Sequence, residues 1–348
     1  MNHIEIGTPA VLPLAFAKMD VDGVAKTVML GMTLQHPPIH YIVAPHQELT
    51  VYGPRAHVAR RFARAYMASS GATVSAEIKI ENTSPAHVGF ASDALIALST
   101  AQAVAWVNED QDHEDIPTLA KHVGLTEDDA LAYWSYQQGG VLLVEMTSAD
   151  GDMPKLLRHF SLEHRSHLAW AISFHFPPHP NDAPDSFEQD RYAIVKAAAE
   201  NMPSESGKII HDILWPALEG NDIDTFGAAL ATLREMNLKV LAEADGWQMP
   251  NAHAEKVMRV MRENGALAVG ENYTGITVFG LVHGSLLSQQ IRTEVMKQIG
   301  YFKGQFEHTI NDVDGSKLTV KDESMHEGDY RLPNTASRIT GPNRRTHY

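Results

Sequence analysis

The sequence predicts an α+β protein of two lobes, β-rich in its first part and helix-rich in its second. Three observations carry this. The chain has 348 residues, which fits about two domains of the usual ~100–200 residues. Strand-type runs crowd the first quarter, whereas helical periodicity dominates after Ser186. The composition, 44% hydrophobic and 20% charged, is that of an ordinary fold with a sizeable core and rules out disorder of the whole chain.

In chain order, Lys26–Gln35, His40–Pro45 and Glu48–Gly53 read as strands. Val74, Ala76, Ile78 and Ile80 alternate as in a half-buried strand, because side chains two apart share a face. After Pro54 a helix is expected from Arg55 to Ser69, closed by Gly71. A second begins near Ser92, with Leu95, Leu98, Ala101, Gln102 and Ala105 at helical spacing, and ends near Asn108. Helices at Ile116–Val123 and Glu127–Gln137 follow, and Gly139-Gly140 then leads into a short apolar strand, Val141–Glu145. A strand at Leu168–Phe176 and a loop at Pro177–Pro184 precede the helical part, with helices at Ser186–Asn201, Ser206–Leu218, Ile223–Ala244 and Ala252–Glu263. Leu267–Gly270 and Thr277–Val282 bracket a glycine-bearing turn, and Leu286–Ile299 closes the regular part. From about Asn311 the chain is polar and aperiodic, a tail with no core of its own. The expected division is a first domain over 1–165, a second over 166–310 and the polar tail 311–348. No repeat of solenoid period is present.

Charge and composition exclude several functions. Lysine and arginine total 28 against 43 aspartates and glutamates, a formal charge of -15. That argues against the basic footprint that non-specific nucleic-acid binding or an anionic membrane surface requires. The absence of cysteine removes disulfides, thiolate metal sites, Fe–S clusters and cysteine nucleophiles. Met1-Asn2-His3-Ile4-Glu5 lacks the basic and apolar stretches of a signal peptide. Ala94–Val107, the nearest approach to a membrane span, is interrupted by Ser99, Thr100 and Gln102. A cytoplasmic protein that meets neither nucleic acid nor membrane is expected.

The richest stretch runs from Ser84 to Ala94, between a strand and a long helix. Small residues permit close backbone approach, and the first turn of the helix offers unpaired N–H groups to a phosphate. The same residues also fit a tight strand-to-helix turn with Ser92 as N-cap and Asp93 favoured by the helix dipole. Ser92 is no acyl-transfer nucleophile, since the Gly-x-Ser-x-Gly elbow is absent. The 19 histidines suggest no metal site: His36, His40 and His46 lie at strand edges, and His159, His164, His167, His175 and His179 scatter without a paired helical spacing. His87 is the exception to test, because it abuts the loop.

Pro85, His87, Val88, Gly89 and Ser92 resemble the Pro-x-His-Val-Gly-Leu-Gly-Ser phosphate loop of the GHMP kinase superfamily, in the form found in β-ribofuranosylaminobenzene 5′-phosphate synthases. Thr8-Pro9-Ala10 with Asp20-Val21-Asp22-Gly23, Gly139-Gly140, Glu188, and Gly265-Ala266 through Gly275 resemble further family segments in the same order, over about residues 5 to 300. The resemblance implies a two-lobed GHMP-kinase-like fold. It also implies a C-glycosyltransferase that joins ribose 5-phosphate from phosphoribosyl pyrophosphate to an aromatic carboxylate, releasing pyrophosphate and CO2. Such a site must stabilise the leaving group and hold an electron-rich ring carbon near the anomeric centre.

Pyrophosphate calls for magnesium, an oxygen-seeking cofactor, with Asp93 as its expected ligand against the alternative of a dipole-favoured carboxylate. Asp93, Glu188 and Glu271 form the expected catalytic set. Lys26, His87, Gly89, Ala91, Ser92, Gly139, Gly140, Asn272, Tyr273, Thr274 and Gly275 form the expected substrate-binding set. Ala91 replaces the second loop glycine of the family, and Glu271-Asn272-Tyr273-Thr274-Gly275-Ile276 replaces its Gln-Ser-Ser-Trp-Gly-Pro. The second departure favours an aminopyrazole carboxylate acceptor, as in the C-nucleoside synthases of formycin and pyrazofurin type, over 4-aminobenzoate. Rivals are an ATP-dependent small-molecule kinase and a non-catalytic ligand-binding protein. The resemblance further implies a homodimer.

Overall fold

The computed structural model describes residues 3–109, 115–148, 151–161, 170–176, 184, 186–248, 252–273, 277–300, 305–309 and 314–321. The chain opens with two long antiparallel strands, β1 (His3–Val21) and β2 (Val24–His46). Sequence patterning suggested no strand before Lys26 and divided β2 around Pro37-Pro38. Proline is the common cause, because it breaks the alternation of side chains without ending the strand. The β1–β2 register shifts between Thr8 and Ala10 and between Pro13 and Ala15. Pro9 and Pro13 thus sit at irregularities, where a missing N–H is tolerated.

β2 divides its other edge between two partners. Its Val28–Met32 stretch pairs with β5 (Val141–Glu145), and its His40–His46 stretch pairs with β4 (Ser75–Asn82). β3 (Thr50–Tyr52), β6 (Leu156–Phe160) and β11 (Lys317–Lys321) complete a seven-stranded sheet, in which β3 alone runs parallel to its neighbour. Packed on it are α1 (Ala56–Ser70), α2 (Ser92–Val107) and α4 (Ala130–Gln138), with α3 (Ile116–Val123) lying against α1 and α2. α2 is buried on nearly every side, which explains its weak segregation of polar from apolar residues.

β7 (Trp170–Phe176), β8 (Ala268–Glu271), β9 (Val278–His283) and β10 (Gln305–Thr309) form a four-stranded antiparallel sheet, ordered β10-β7-β9-β8. Its helices include α5 (Phe187–Ala199), α8 (Ile223–Ala242), α9 (Ala252–Glu263) and α10 (Gly284–Ile299). The single helix expected over Ser206–Leu218 is instead α6 (Glu205–Lys208), a π-helical turn over Ile209–Leu214, and α7 (Trp215–Glu219). The wide turn lies just ahead of Pro216, which has no N–H to donate to the preceding turn.

The polar run after Asn311 also departs from expectation. Lys317–Lys321 is β11, added antiparallel to the edge of β1. A short strand needs no core of its own when it extends an existing sheet, and Ser316 Oγ anchors it to Thr8 Oγ1 at 2.9 Å. The remainder of that run, 322–348, lies outside the described residues.

One hydrophobic core lies under α1–α4. A second is shared by both sheets and sets up the site. It joins Leu12, Leu14, Val28 and Leu30 to Phe174, Phe279 and Leu281, with Leu214, Phe226 and Leu230 from the helices. Val88 and Phe90, from the stretch preceding α2, belong to the same core, and Phe90 meets Phe174 edge to face at 5.2 Å. Among the described residues no helix is long and apolar enough to cross a membrane.

Candidate functional site

The loop between β4 and α2 takes its shape from two anchors. Val88 and Phe90 are both 0% exposed, and each buried side chain of this size contributes roughly 1.5–3 kcal/mol. Around them His87, Gly89 and Ala91 adopt left-handed backbone, with φ of 61°, 74° and 50°. The peptide groups of Gly89 are thereby presented to two distant segments. The Gly89 N–H donates to Glu188 Oε1 at 2.9 Å, across 99 residues of sequence. The Gly89 carbonyl accepts from Asn272 Nδ2, across 183 residues. Thr277 Oγ1 donates to the Val88 carbonyl at 2.6 Å, and the Asn272 N–H donates to the Thr277 carbonyl at 2.7 Å. Three of the expected site residues, Gly89, Glu188 and Asn272, are therefore joined at one loop.

The start of α2 differs from the expected cap. Ala91, not Ser92, is the N-cap, and it supplies no side-chain hydrogen bond to the first turn. Ser92 Oγ instead accepts from Arg55 Nη1 at 2.5 Å, and Asp93 is ion-paired with Arg55 through Nη2. Arg61 stands 3.8 Å from the other oxygen of Asp93. The uncapped N–H groups, the dipole of α2 and two guanidiniums give this end of the helix a positive character suited to an anion.

Asp93, the expected magnesium ligand, is ion-paired with Arg55 and lies near Arg61. Its carboxylate is already neutralised by Arg55 and Arg61, and among the described residues no group of three His, Asp or Glu side chains is arranged to hold a metal ion. The donor set fits a phosphate better than a protein-held cation.

Glu188 lies in the first turn of α5. Burial pushes its carboxyl group up to about 7, Asp93 pushes in the same direction, and the Gly89 N–H and Arg55 oppose them. On the same helix, Arg191 Nε donates to the Tyr273 carbonyl at 3.1 Å and its guanidinium lies 4.2 Å from the Trp247 ring. Glu271 is 7% exposed, and its carboxyl value is raised by burial, with Arg191 and Arg234 opposing.

Tyr273 was expected to touch substrate, but its ring is buried. The hydroxyl donates to Asn237 Oδ1 at 2.6 Å, and Asn237 in turn clamps the Phe16 backbone, accepting from its N–H at 3.1 Å and donating to its carbonyl at 2.7 Å. Tyr273 thus ties the turn after β8 to β1 from inside the core.

Other expected residues fall elsewhere. Lys26 pairs with the buried Glu145 at 3.6 Å beside the β1–β2 turn. Gly139 and Gly140 are accounted for by packing. Both have positive φ, and a Cβ would fall 2.3 Å from the Asp314 carbonyl carbon and 2.4 Å from the Phe160 oxygen respectively. His87 meets the Phe187 ring edge-on at 6.0 Å. Thr274 and Gly275 lie outside the described residues. Arg55, Arg61 and Arg191 were not anticipated; the arginines concentrated at 55, 60, 61 and 64, just before the loop, were the available signal for the first two.

No family model and no curated protein matches the chain. Solved structures do. Mevalonate diphosphate decarboxylase from Staphylococcus aureus superposes with a TM-score of 0.61 at 16% identity, covering 92% of this chain and 98% of its own. Homoserine kinase from Cytophaga hutchinsonii gives a TM-score of 0.59 at 14% identity, covering 91% and 97%. The fold is that of the GHMP kinases. A further structure with this GHMP fold, MDDEF in complex with MVAPP, AMPPCP and magnesium, matches with a TM-score of 0.63 at 11% identity, over 92% of this chain and 100% of the other. At these identities the likeness establishes the GHMP architecture and leaves the chemistry to the site.

Proposed function

We propose that the chain is a C-glycosyltransferase that transfers ribose 5-phosphate from phosphoribosyl pyrophosphate to an aromatic carboxylate, releasing pyrophosphate and CO2. One observation carries the reading. The loop and Glu188 resemble the synthase family, the 271–272 segment falls where that family has a motif from which this chain departs, and Glu188 and Asn272 both bond to Gly89.

The chemistry balances without a strong protein base. The anomeric C–O bond breaks and its electron pair leaves with pyrophosphate. A ring carbon supplies the pair for the new C–C bond, and cleavage of the bond to CO2 returns a pair to the ring and restores aromaticity. The positive end of α2, Arg55 and Arg61 supply a fixed field for the departing pyrophosphate, where preorganised charge acts most strongly. Glu188 Oε1 is held by the Gly89 N–H, and the reading gives its Oε2 to a ribose hydroxyl. No step is assigned to magnesium.

The kinase superfamily rival is tested by the same incubation. With phosphoribosyl pyrophosphate and either an aminopyrazole carboxylate or 4-aminobenzoate, pyrophosphate release dependent on the acceptor is expected. ATP consumption with a small-molecule alcohol, and no such release, would overturn the reading.

A further inference from the structure

Glu188 caps the central N–H of the loop, its Oε1 accepting from Gly89 at 2.9 Å. An anion bound at the start of α2 therefore meets a carboxyl group already in place. The charges around it nearly cancel. Arg55 is ion-paired with Asp93, Arg61 stands 3.8 Å from the other Asp93 oxygen, and Asp93 and Arg55 both act on Glu188. With Glu188 ionised, two guanidiniums stand against two carboxylates. With Glu188 neutral, one positive charge is left over for the anion. An arriving anion is a further like charge, and like charges at close range disfavour the ionised carboxylate.

α5 is pinned on both sides of Glu188. Phe187 meets the His87 ring edge-on at 6.0 Å. Arg191, one turn further along the same face, donates to the Tyr273 carbonyl at 3.1 Å and lies 4.2 Å from the Trp247 ring. Beyond it, Lys196 is ion-paired with Glu127 and with Asp128. A swing of α5 would break these contacts, whereas a proton removes the repulsion and leaves Oε1 on the Gly89 N–H. The other elements packed against α5 are β1, β2 and α8. Their lysine, arginine, aspartate and glutamate side chains that are not exposed are engaged elsewhere. Lys18 of β1 bonds the Glu200 carbonyl, Glu5 of β1 pairs with Lys321, and Lys26 of β2 pairs with Glu145. Arg234 of α8 bonds the Leu14 and Glu271 carbonyls.

We propose that binding of a phosphate-type oxyanion at the start of α2 takes up one proton, carried by Glu188. The proton comes from solvent and is held at Oε2, and no bond of the anion is made or broken. By linkage, the anion binds more tightly as pH falls. This rests on the anion-binding part of the phosphoribosyl reading and not on its acceptor or on decarboxylation. In the free chain the carboxyl value of about 7 leaves Glu188 mostly ionised one pH unit higher, where the uptake is read.

Calorimetric titration of the full chain with inorganic pyrophosphate, without magnesium, tests this. At about pH 8, buffers of different ionisation enthalpy count the protons exchanged. The wild type should take up about half a proton or more beyond the number found for Glu188→Gln, which keeps an oxygen for the Gly89 N–H and shares the background from pyrophosphate's own titration. Between about pH 7 and pH 9 the wild-type affinity should fall about tenfold or more relative to that of this variant. Sulfate, which does not titrate in this range, should give the same uptake from the wild type alone, so the test stands even if the variant fails to fold. Asp93→Asn should keep the uptake. Equal proton numbers in the wild type and Glu188→Gln, or no binding of either anion, would overturn the linkage. Uptake lost in Asp93→Asn and kept in Glu188→Gln would give the proton to Asp93 and overturn it equally. Proton uptake without acceptor-dependent pyrophosphate release from phosphoribosyl pyrophosphate would overturn the activity and leave the linkage standing. Such release by a wild type that takes up no proton would do the reverse.

Discussion

The Gly89 N–H donates to Glu188 Oε1 at 2.9 Å, placing the central peptide of the loop against a carboxyl group whose burial favours the neutral form. The bond links α5 to the α2 loop, so the protonation state of Glu188 is felt where the anion is expected to sit.

Glu188 should leave a signature in the pH dependence of stability. Its folded value of about 7 exceeds the ordinary 4.5, so the folded protein holds a proton that the unfolded chain has released between them. Its contribution is fully present below the ordinary value and is lost as pH rises through about 7. Relative to Glu188→Gln, wild-type stability should fall by about 1–3 kcal/mol over this window, measured by urea denaturation at a series of pH values. A difference that does not vary with pH contradicts the assignment.

Arg55 separates backbone from side chain. It occupies a left-handed conformation with φ of 56° while holding Ser92 and Asp93. Arg55→Gly suits that backbone and removes the guanidinium. Stability should change by no more than about 1 kcal/mol, while affinity for phosphoribosyl pyrophosphate falls about tenfold or more, a loss of at least ~1.4 kcal/mol. Arg55→Lys should not restore it, because a single ammonium cannot serve both partners in the same geometry. Unchanged affinity in the glycine variant would remove Arg55 from the site.

Asp93→Asn tests whether Asp93 serves as a magnesium ligand. Asp93 is half exposed, so losing its ion pair should cost at most ~1 kcal/mol. Removing a negative charge beside the α2 terminus should tighten pyrophosphate binding a few-fold, with the dependence on magnesium unchanged. A magnesium dependence abolished in this variant would make Asp93 a ligand.

Much of the fold was legible because periodicity survives where one face is buried. α3 and β5 match their expected spans, and α1, α2 and α5 lie within a few residues of theirs. β1 was obscured because its middle residues, Pro9 to Ala17, are buried without alternation and prolines sit among them. β6, β10 and β11 were invisible for another reason: short strands draw their stability from the sheet they join, not from a local pattern. In the site, Gly89, Glu188 and Asn272 could be named from the resemblance, but their meeting could not. Arg55 was read only as the start of a helix, because nothing local indicates that its side chain reaches Ser92.

Gly140→Ala distinguishes packing from binding at the Gly-Gly pair. The new Cβ would fall 2.4 Å from the Phe160 oxygen at a φ of +72°. We expect destabilisation of more than about 2 kcal/mol, with the KM for phosphoribosyl pyrophosphate unchanged. A raised KM without loss of stability would place the pair in the substrate site.

The most direct test of the central claim is the stoichiometry of product release. With an acceptor labelled with 13C in its carboxylate, phosphoribosyl pyrophosphate and magnesium, labelled CO2 and pyrophosphate should appear in equal amounts, together with a product carrying a new ring-to-ribose C–C bond. Pyrophosphate without labelled CO2, or turnover only of ATP, would contradict the account.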